Sequence, residues 1–597
     1  MNSRAMLAIA VACLFASISS PARAADLAYE WYTVANNGDT MPTTASRECS
    51  SCHDDVAGDG ATATAKRFNS YNQPAINKLG VVVFRARSRG GEGQGPGQGE
   101  PERGIYMRHL AQQGPLYAVY RRHGTVPPPN NTTIGKDKAL ASFNEFPSVP
   151  RIDSGSDTMA TRGQSTPVWT YTAPNGLETR TGTAGIYTNL HRVGATGASM
   201  VGDVYAHDAS GAVVQLFPQF QVPVHTGVAE GTGFDQFPGS PAVTERTTIV
   251  FKGNFTAGRQ GRTGVFYRDV VGSKGLAPVE LIAASGHTDI PGCNSKQSTL
   301  CTKFGSTAPP SADGKYAVFV GYDDEGRPTK GGIYRARLGN KPITLETVVQ
   351  IGDQVPEEPA GTNFRVFGES VTVASGGRLV VFWGGWGGDR FVKMECPTEG
   401  NAAMRKACTD ATPPGTELPV PDKQGFFVRD MQLGTTTVIA KSGDEFVDFV
   451  YWNFSGRVPG KGEGEEGDDI EEPARWRSAT FGAVSGSGVP GIAAFKALSA
   501  DREQGIYLRR FLPSGMDGLV KLLKTGDPAA AVDPEAPAGA VISALGIERD
   551  GFRGNWLAVN VSMLAASDIA IAAAGSEESE EDTGWAGIYA ARLIGGQ

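Results

Sequence analysis

A short motif, Gly-Ile-Tyr or a close relative, returns seven times along the chain, at Gly104, Gly185, Gly264, Gly332, Gly425, Gly505 and Gly587. Self-similarity of this kind dictates stacked units, each burying its apolar face on the next. Upstream of most copies stand an aromatic opener, an apolar segment, a turn and a run ending in Phe: Phe68 to Phe84, Phe234 to Phe251, Phe304 to Phe319 and Phe364 to Phe382. Downstream lies a β-branched run closed by a Gly-Asp turn, as in Thr347-Val348-Val349-Gln350-Ile351 before Gly352-Asp353, with Gly443-Asp444 and Gly526-Asp527 alike. Gly124 and Gly286 hold that place without the Asp.

Each unit therefore offers four short strands, about Pro74–Asn77, Val81–Arg87, Ile105–Arg108 and Leu116–Arg121 in the first, which is the pattern of a propeller blade. Helical periodicity is almost absent, and 78 Gly with 37 Pro make the chain rich in turns. After Gly587-Ile588-Tyr589 the last unit lacks its fourth strand, and Trp31-Tyr32-Thr33-Val34-Ala35 with Gly38-Asp39 has the form that would supply it. The expected fold is all-β: a seven-bladed β-propeller of four-stranded blades, closed by an N-terminal strand that completes the last blade and removes an open sheet edge.

In the first unit Asn77-Lys78-Leu79-Gly80 places Asn and Gly where a tight hairpin needs positive φ. The segment Asn77-Lys78-Leu79-Gly80-Val81-Val82-Val83-Phe84 resembles the exported bacterial tandem-repeat family named for its Asn-x-x-Gly-x-x-Ala-Phe motif, with Val83 in place of Ala. Ser311-Ala312-Asp313-Gly314-Lys315-Tyr316-Ala317-Val318-Phe319 keeps the Phe without the Asn. The resemblance spans most of the chain, implies export and a β-propeller-like fold, and brings no reaction. A C-terminal sorting anchor, frequent in that family, is not visible here.

At the other end Arg4, an apolar run from Ala5 to Ile18, Pro21 and Ala22-Arg23-Ala24 read as a secretory signal peptide cleaved after Ala24. Cys13 lies inside that run and belongs to it. The expected divisions are residues 1–24 signal peptide, 25–45 closing strand, 46–67 a cysteine loop and 68–597 the propeller. No later run approaches the roughly 18 apolar residues a membrane helix needs. A net charge of −8 without a basic strip argues against nucleic acid. The expectation is a periplasmic or secreted protein, monomeric, without a membrane span.

Six cysteines remain after cleavage, in three close pairs, and an even count in an exported chain favours disulfides. Cys293 with Cys301 and Cys396 with Cys408 are expected to staple loops. Cys49-Ser50-Ser51-Cys52-His53 is the attachment sequence for c-type haem, both thiols adding to the vinyl groups and His53 reaching the iron. Met41 is the nearest candidate for a sixth ligand, with Met107 more distant. The alternative is a local disulfide, since the Cys293 and Cys301 loop occupies the same interval of another unit.

Other candidates read as structural. Asp54, Asp55 and Asp59 do not have the spacing of a calcium loop. The run Glu463 to Glu472 reads as a solvated loop. Ser485 lacks the first Gly of a nucleophile elbow and suits a hairpin. Aromatics in Phe382-Trp383-Gly384-Gly385-Trp386, in Tyr451-Trp452-Asn453-Phe454 and around Trp476 either fill the wedges between blades or present a ligand surface. Three functions stay open. The leading one is a binding module for a partner protein or small ligand; the others are a periplasmic haem redox protein and a propeller lyase or hydrolase.

Overall fold

The computed structural model describes residues 28–42, 66–89, 101–127, 142–165, 169–172, 178–181, 184–191, 198–203, 205–207, 213–215, 221–234, 236–257, 260–270, 277–292, 301–325, 327–396, 402–413, 415–443, 445–455, 475–479, 481–486, 490–512, 515–565 and 584–594. Among the described residues the strands form seven antiparallel blade sheets, each of four strands when a broken first strand is counted as one, and three two-stranded hairpins. In blade 4 the order from the axis outward is Ser306–Thr307 with Ser311–Asp313, then Tyr316–Tyr322, Gly331–Arg337 and Leu345–Gln350. The first strand is thus broken in two, and its inner half lines the axis. Six of the seven blades share this break. It corrects the expected single first strand, which for blade 1 gave Pro74–Asn77 and left Phe68–Tyr71 out of the sheet.

The inner halves Ala75–Ile76, Arg151–Ile152, Ala242–Thr244, Ser311–Asp313, Thr372–Ala374, Gly482–Gly486 and Phe552–Arg553 touch one another in sequence, and the last returns to the first. That closes the ring at seven blades. The expected seam is present: Ala28–Asn36 pairs antiparallel with Trp585–Ile594, so that the two ends of the chain share blade 7.

Packing explains the repeated triplet. All seven copies lie on the third strand of a blade, and the aromatic two residues after the Gly is buried in each. In six blades that ring meets the opener edge-on: Phe68 on Tyr106, Phe143 on Tyr187, Phe234 on Phe266, Phe304 on Tyr334, Phe364 on Phe427 and Phe446 on Tyr507, with centroids 4.8 to 5.2 Å apart. T-shaped pairs of this kind contribute about 0.5–1.5 kcal/mol beyond burial. The Gly makes room for it. At Gly332 a Cβ would stand 2.2 Å from the carbonyl oxygen of Val349, which is backbone and cannot swing away. Gly332→Ala is therefore expected to cost roughly 1–3 kcal/mol, seen as a lowered urea midpoint with an unchanged slope.

Blade 7 departs from the rule. No Phe opens it, and Tyr589 instead donates to Asp533 Oδ2 at 2.7 Å. Asp533 is fully buried and its Oδ2 also accepts from Trp585 Nε1 at 2.8 Å and Asn36 Nδ2 at 3.0 Å, while Oδ1 accepts from the Glu535 amide. One carboxylate thus ties the N-terminal strand to the C-terminal one.

Blade 5 carries an insertion that helical periodicity did not reveal. Its second and third strands extend to Leu379–Lys393 and Glu417–Asp430, and between them lies a helix, Ala402–Ala411. Four alanines in ten residues favour the helix. Cys408 on this helix is bonded to Cys396, with Cα atoms 5.8 Å apart, as expected from the cysteine pairing.

Candidate functional site

The turns between first and second strands of all seven blades gather at one end of the axis, and there they interlock. Asn77 is fully buried; its Oδ1 accepts from the amides of Leu79 and Val81 at 2.9 Å, and its Nδ2 donates to Ser156 O of blade 2 at 2.7 Å. Gly80 closes the same turn with φ of 75°. The Asn-x-x-Gly pattern is thus a hairpin cap that also grips the next blade.

Further bonds continue the ring. The Arg246 amide donates to Asp153 Oδ1 at 3.4 Å, Thr244 Oγ1 to Gly314 O at 2.6 Å, the Gly376 amide to Asp313 Oδ2 at 2.6 Å, and Ser485 Oγ to Gly554 O at 2.6 Å. Ser375 Oγ reaches Gly486 O. Ser485 is therefore a clip between blades 6 and 7 on the strand Gly482–Gly486, in keeping with a hairpin and not a nucleophile elbow.

Inside this ring Lys78, Asp153, Glu245, Arg246 and Asp313, with Ser154 and three glycines, line an open bowl of about 380 Å3. Glu245 and Arg246 have φ of 49° and 67°. The turn between the paired Thr244 and Thr248 holds three residues, and its first two take left-handed positions that Asn and Gly fill at least cost. The neighbouring turns do use glycine there, at Gly314, Gly376 and Gly377. Two charged side chains are held in the bowl against backbone preference.

Beneath the turns the axis is filled. Arg151 is fully buried; its NH1 lies 3.1 Å from Glu548 Oε1 and its guanidinium also pairs with Asp550. Arg549 Nε donates to Glu548 Oε1 at 3.0 Å, and Arg549 NH1 to Pro309 O at 3.3 Å. Arg553 pairs with Asp550 and donates to Val484 O and Val373 O at 3.3 and 3.2 Å. Burial opposes ionisation of Asp550, but Arg151 and Arg553 outweigh it and hold the carboxyl below its ordinary range. These five charged groups bridge blades 2, 4, 5, 6 and 7.

The axial group was not singled out from sequence, although a signal existed. Where other blades carry a proline just before the inner strand segment, as at Pro74, Pro150, Pro241 and Pro309, blade 7 has Glu548-Arg549-Asp550-Gly551.

The residues singled out from sequence are placed as follows. Cys49, Cys52 and His53 lie outside the described residues, as do Asp54, Asp55, Asp59, Cys293 and the acidic run 463–472. Cys301 is disulfide-bonded. Met41 is buried in the core between blades 7 and 1, and Met107 is fully buried with its sulfur accepting from Tyr117 at 2.7 Å. Trp383 and Trp386 are buried in the two wedges on opposite sides of blade 5, Trp386 toward blade 4 and Trp383 toward blade 6. Tyr451–Ser455 and Arg475–Ala479 pair as a separate hairpin inserted in blade 6.

No protein-family model matches the sequence, and no curated protein matches it. Among solved structures, the Hadza microbial sialidase Hz136 aligns with a TM-score of 0.29 and 9% identity over 72% of this chain and 63% of its own, so the chain spans less than two thirds of its length. The Nup133 β-propeller domain of Vanderwaltozyma polyspora aligns at 0.28 with 6% identity over 89% and 99%. Fructan 1-exohydrolase IIa from Cichorium intybus aligns at 0.21 with 9% identity over 88% and 95%. Likeness of this degree bears on neither activity nor partner.

Proposed function

We propose that the protein is an exported, non-catalytic recognition module whose axial bowl receives a small polar ligand or a polar loop of a partner. The observation that carries this reading is the pair Glu245 and Arg246, kept in left-handed turn positions where glycine or asparagine would be less strained. Strain retained at a concave surface is a mark of function over stability. Lys78 and Arg246 offer cations there, and Asp153, Glu245 and Asp313 offer carboxylates, a set suited to a zwitterionic or multiply hydrogen-bonding ligand. The charged groups on the axis below are spent on one another, which favours binding over turnover.

Glu245→Asn with Arg246→Gly tests this. The double variant is expected to gain about 1–2 kcal/mol in urea unfolding while losing ligand binding. The probe is a panel of amino acids, dipeptides and sugar acids, read by thermal shift with turnover followed in parallel. A variant that keeps every response of the parent, or a bound compound that is converted to product, removes the reading.

The Cys49-x-x-Cys52-His53 motif supports a second reading, covalent c-type haem on the loop ahead of blade 1. Protein exported from a strain with haem-attachment machinery would then show a reduced Soret and α band at one haem per chain. A colourless protein with Cys49 bonded to Cys52 in a peptide map rejects it.

A further inference from the structure

We propose that His225 and His287 form a two-imidazole site for a divalent transition-metal ion, zinc or copper, beside blade 3. His225 comes from the segment joining blades 2 and 3, and His287 from the turn joining blades 3 and 4. Their ring centroids are 4.6 Å apart and their planes are inclined at 56°. Two imidazoles on one ion, with bonds of about 2.0–2.1 Å and an angle of roughly 90–110°, hold their centroids about 4.5–5.2 Å apart. The observed spacing fits a shared ion.

The chemistry of the two rings agrees. His225 Nδ1 lies 2.6 Å from the carbonyl oxygen of Pro223, which makes that nitrogen the protonated donor and leaves the Nε2 lone pair free. Metal-binding histidines are held by a backbone carbonyl in this way. The ring of His287 has no hydrogen bond among the described residues.

Burial lowers the pKa of both, against the Pro223 hydrogen bond at His225; at His287 the neighbouring His225 and Lys303 lower it further while Asp289 raises it. The charges beside the pair balance: Lys303 Nζ donates to Asp289 Oδ1 at 3.0 Å and to His287 O at 2.7 Å. Phe255 covers His225 edge-on at 5.8 Å. No third His, Cys or carboxylate joins the rings among the described residues, so water completes the shell. The ion would cross-link the two segments that flank blade 3.

Untagged full-length protein should be titrated with zinc by calorimetry and with copper by electron paramagnetic resonance, at neutral pH. One ion per chain is expected, with nitrogen splitting from two imidazoles and a rise in Tm. His225→Ala and His287→Gln should each weaken binding by ~tenfold or more. His109→Ala, which removes a ring stacked on Tyr117, should leave it unchanged and controls for the fold. The proposal is overturned if binding survives in the doubly substituted, folded protein, or if the parent binds no ion below millimolar concentration.

Discussion

Asp550→Asn is expected to lower the unfolding free energy by about 3–5 kcal/mol, among the largest effects any isosteric substitution in this chain can have. The carboxylate is shared by Arg151 and Arg553, both nearly or fully buried, and its neutralisation leaves Arg553 without an anion and Arg151 with Glu548 alone, in a site closed to water. Exposed pairs behave differently. Lys406 and Asp410, 2.7 Å apart on the surface of the inserted helix, serve as the control, and Lys406→Ala should cost under about 0.5 kcal/mol.

The pH dependence separates charge from shape. The Asp550 carboxyl is held below its ordinary value in the fold, so its contribution is present above the unfolded value, near pH 4, and is lost as pH falls through the folded value. In the Asn variant that part of the acid slope should vanish. Urea midpoints of both proteins across the acid range measure it; equal slopes together with equal midpoints would show that the axial network contributes nothing.

What could be read from sequence, and what could not, follows from distance along the chain. The Gly-aromatic triplet is legible because its cause is local: the aromatic ring lies two residues from the Gly it covers, and the opener precedes both within one blade. The closing strand was legible because it repeats a pattern already seen in five other units. Arg151 and Asp550 stand 399 positions apart, and no periodicity connects them. The bowl escaped notice for a related reason, since its residues come one or two at a time from turns of separate blades. Glu245-Arg246 looks like an ordinary polar turn until its φ angles are known. Helix Ala402–Ala411 was missed because it is one short insertion of ten residues between two strands, in a chain whose repeat is otherwise all strand. The Cys49, Cys52 and His53 motif is the opposite case: its chemistry is legible in five letters, and its surroundings are not.

Removal of residues 25–36 should abolish cooperative folding altogether. The strand Ala28–Asn36 supplies the outer edge of blade 7, with Val34, Ala35 and Asn36 each buried to within 1% exposure. Burial of one Val side chain contributes on the order of 1.5–3 kcal/mol. Without Asn36 the Asp533 carboxylate loses one of its side-chain donors, in a site where an unsatisfied charged group costs more than an ordinary hydrogen bond. Strand Trp585–Ile594 would present ten residues of unpaired edge, a template for association with other chains. The sum exceeds much of the roughly 5–15 kcal/mol by which a native domain is stable.

The expected result is therefore a soluble parent with a single urea transition and a truncated chain recovered only as aggregate. Asn36→Ala and Asp533→Asn divide the effect: each should cost about 1–3 kcal/mol and leave the protein folded. A truncated chain that remains monomeric with an unchanged transition would mean that the ring closes without its N-terminal strand, and that the seam at blade 7 is ornamental to stability.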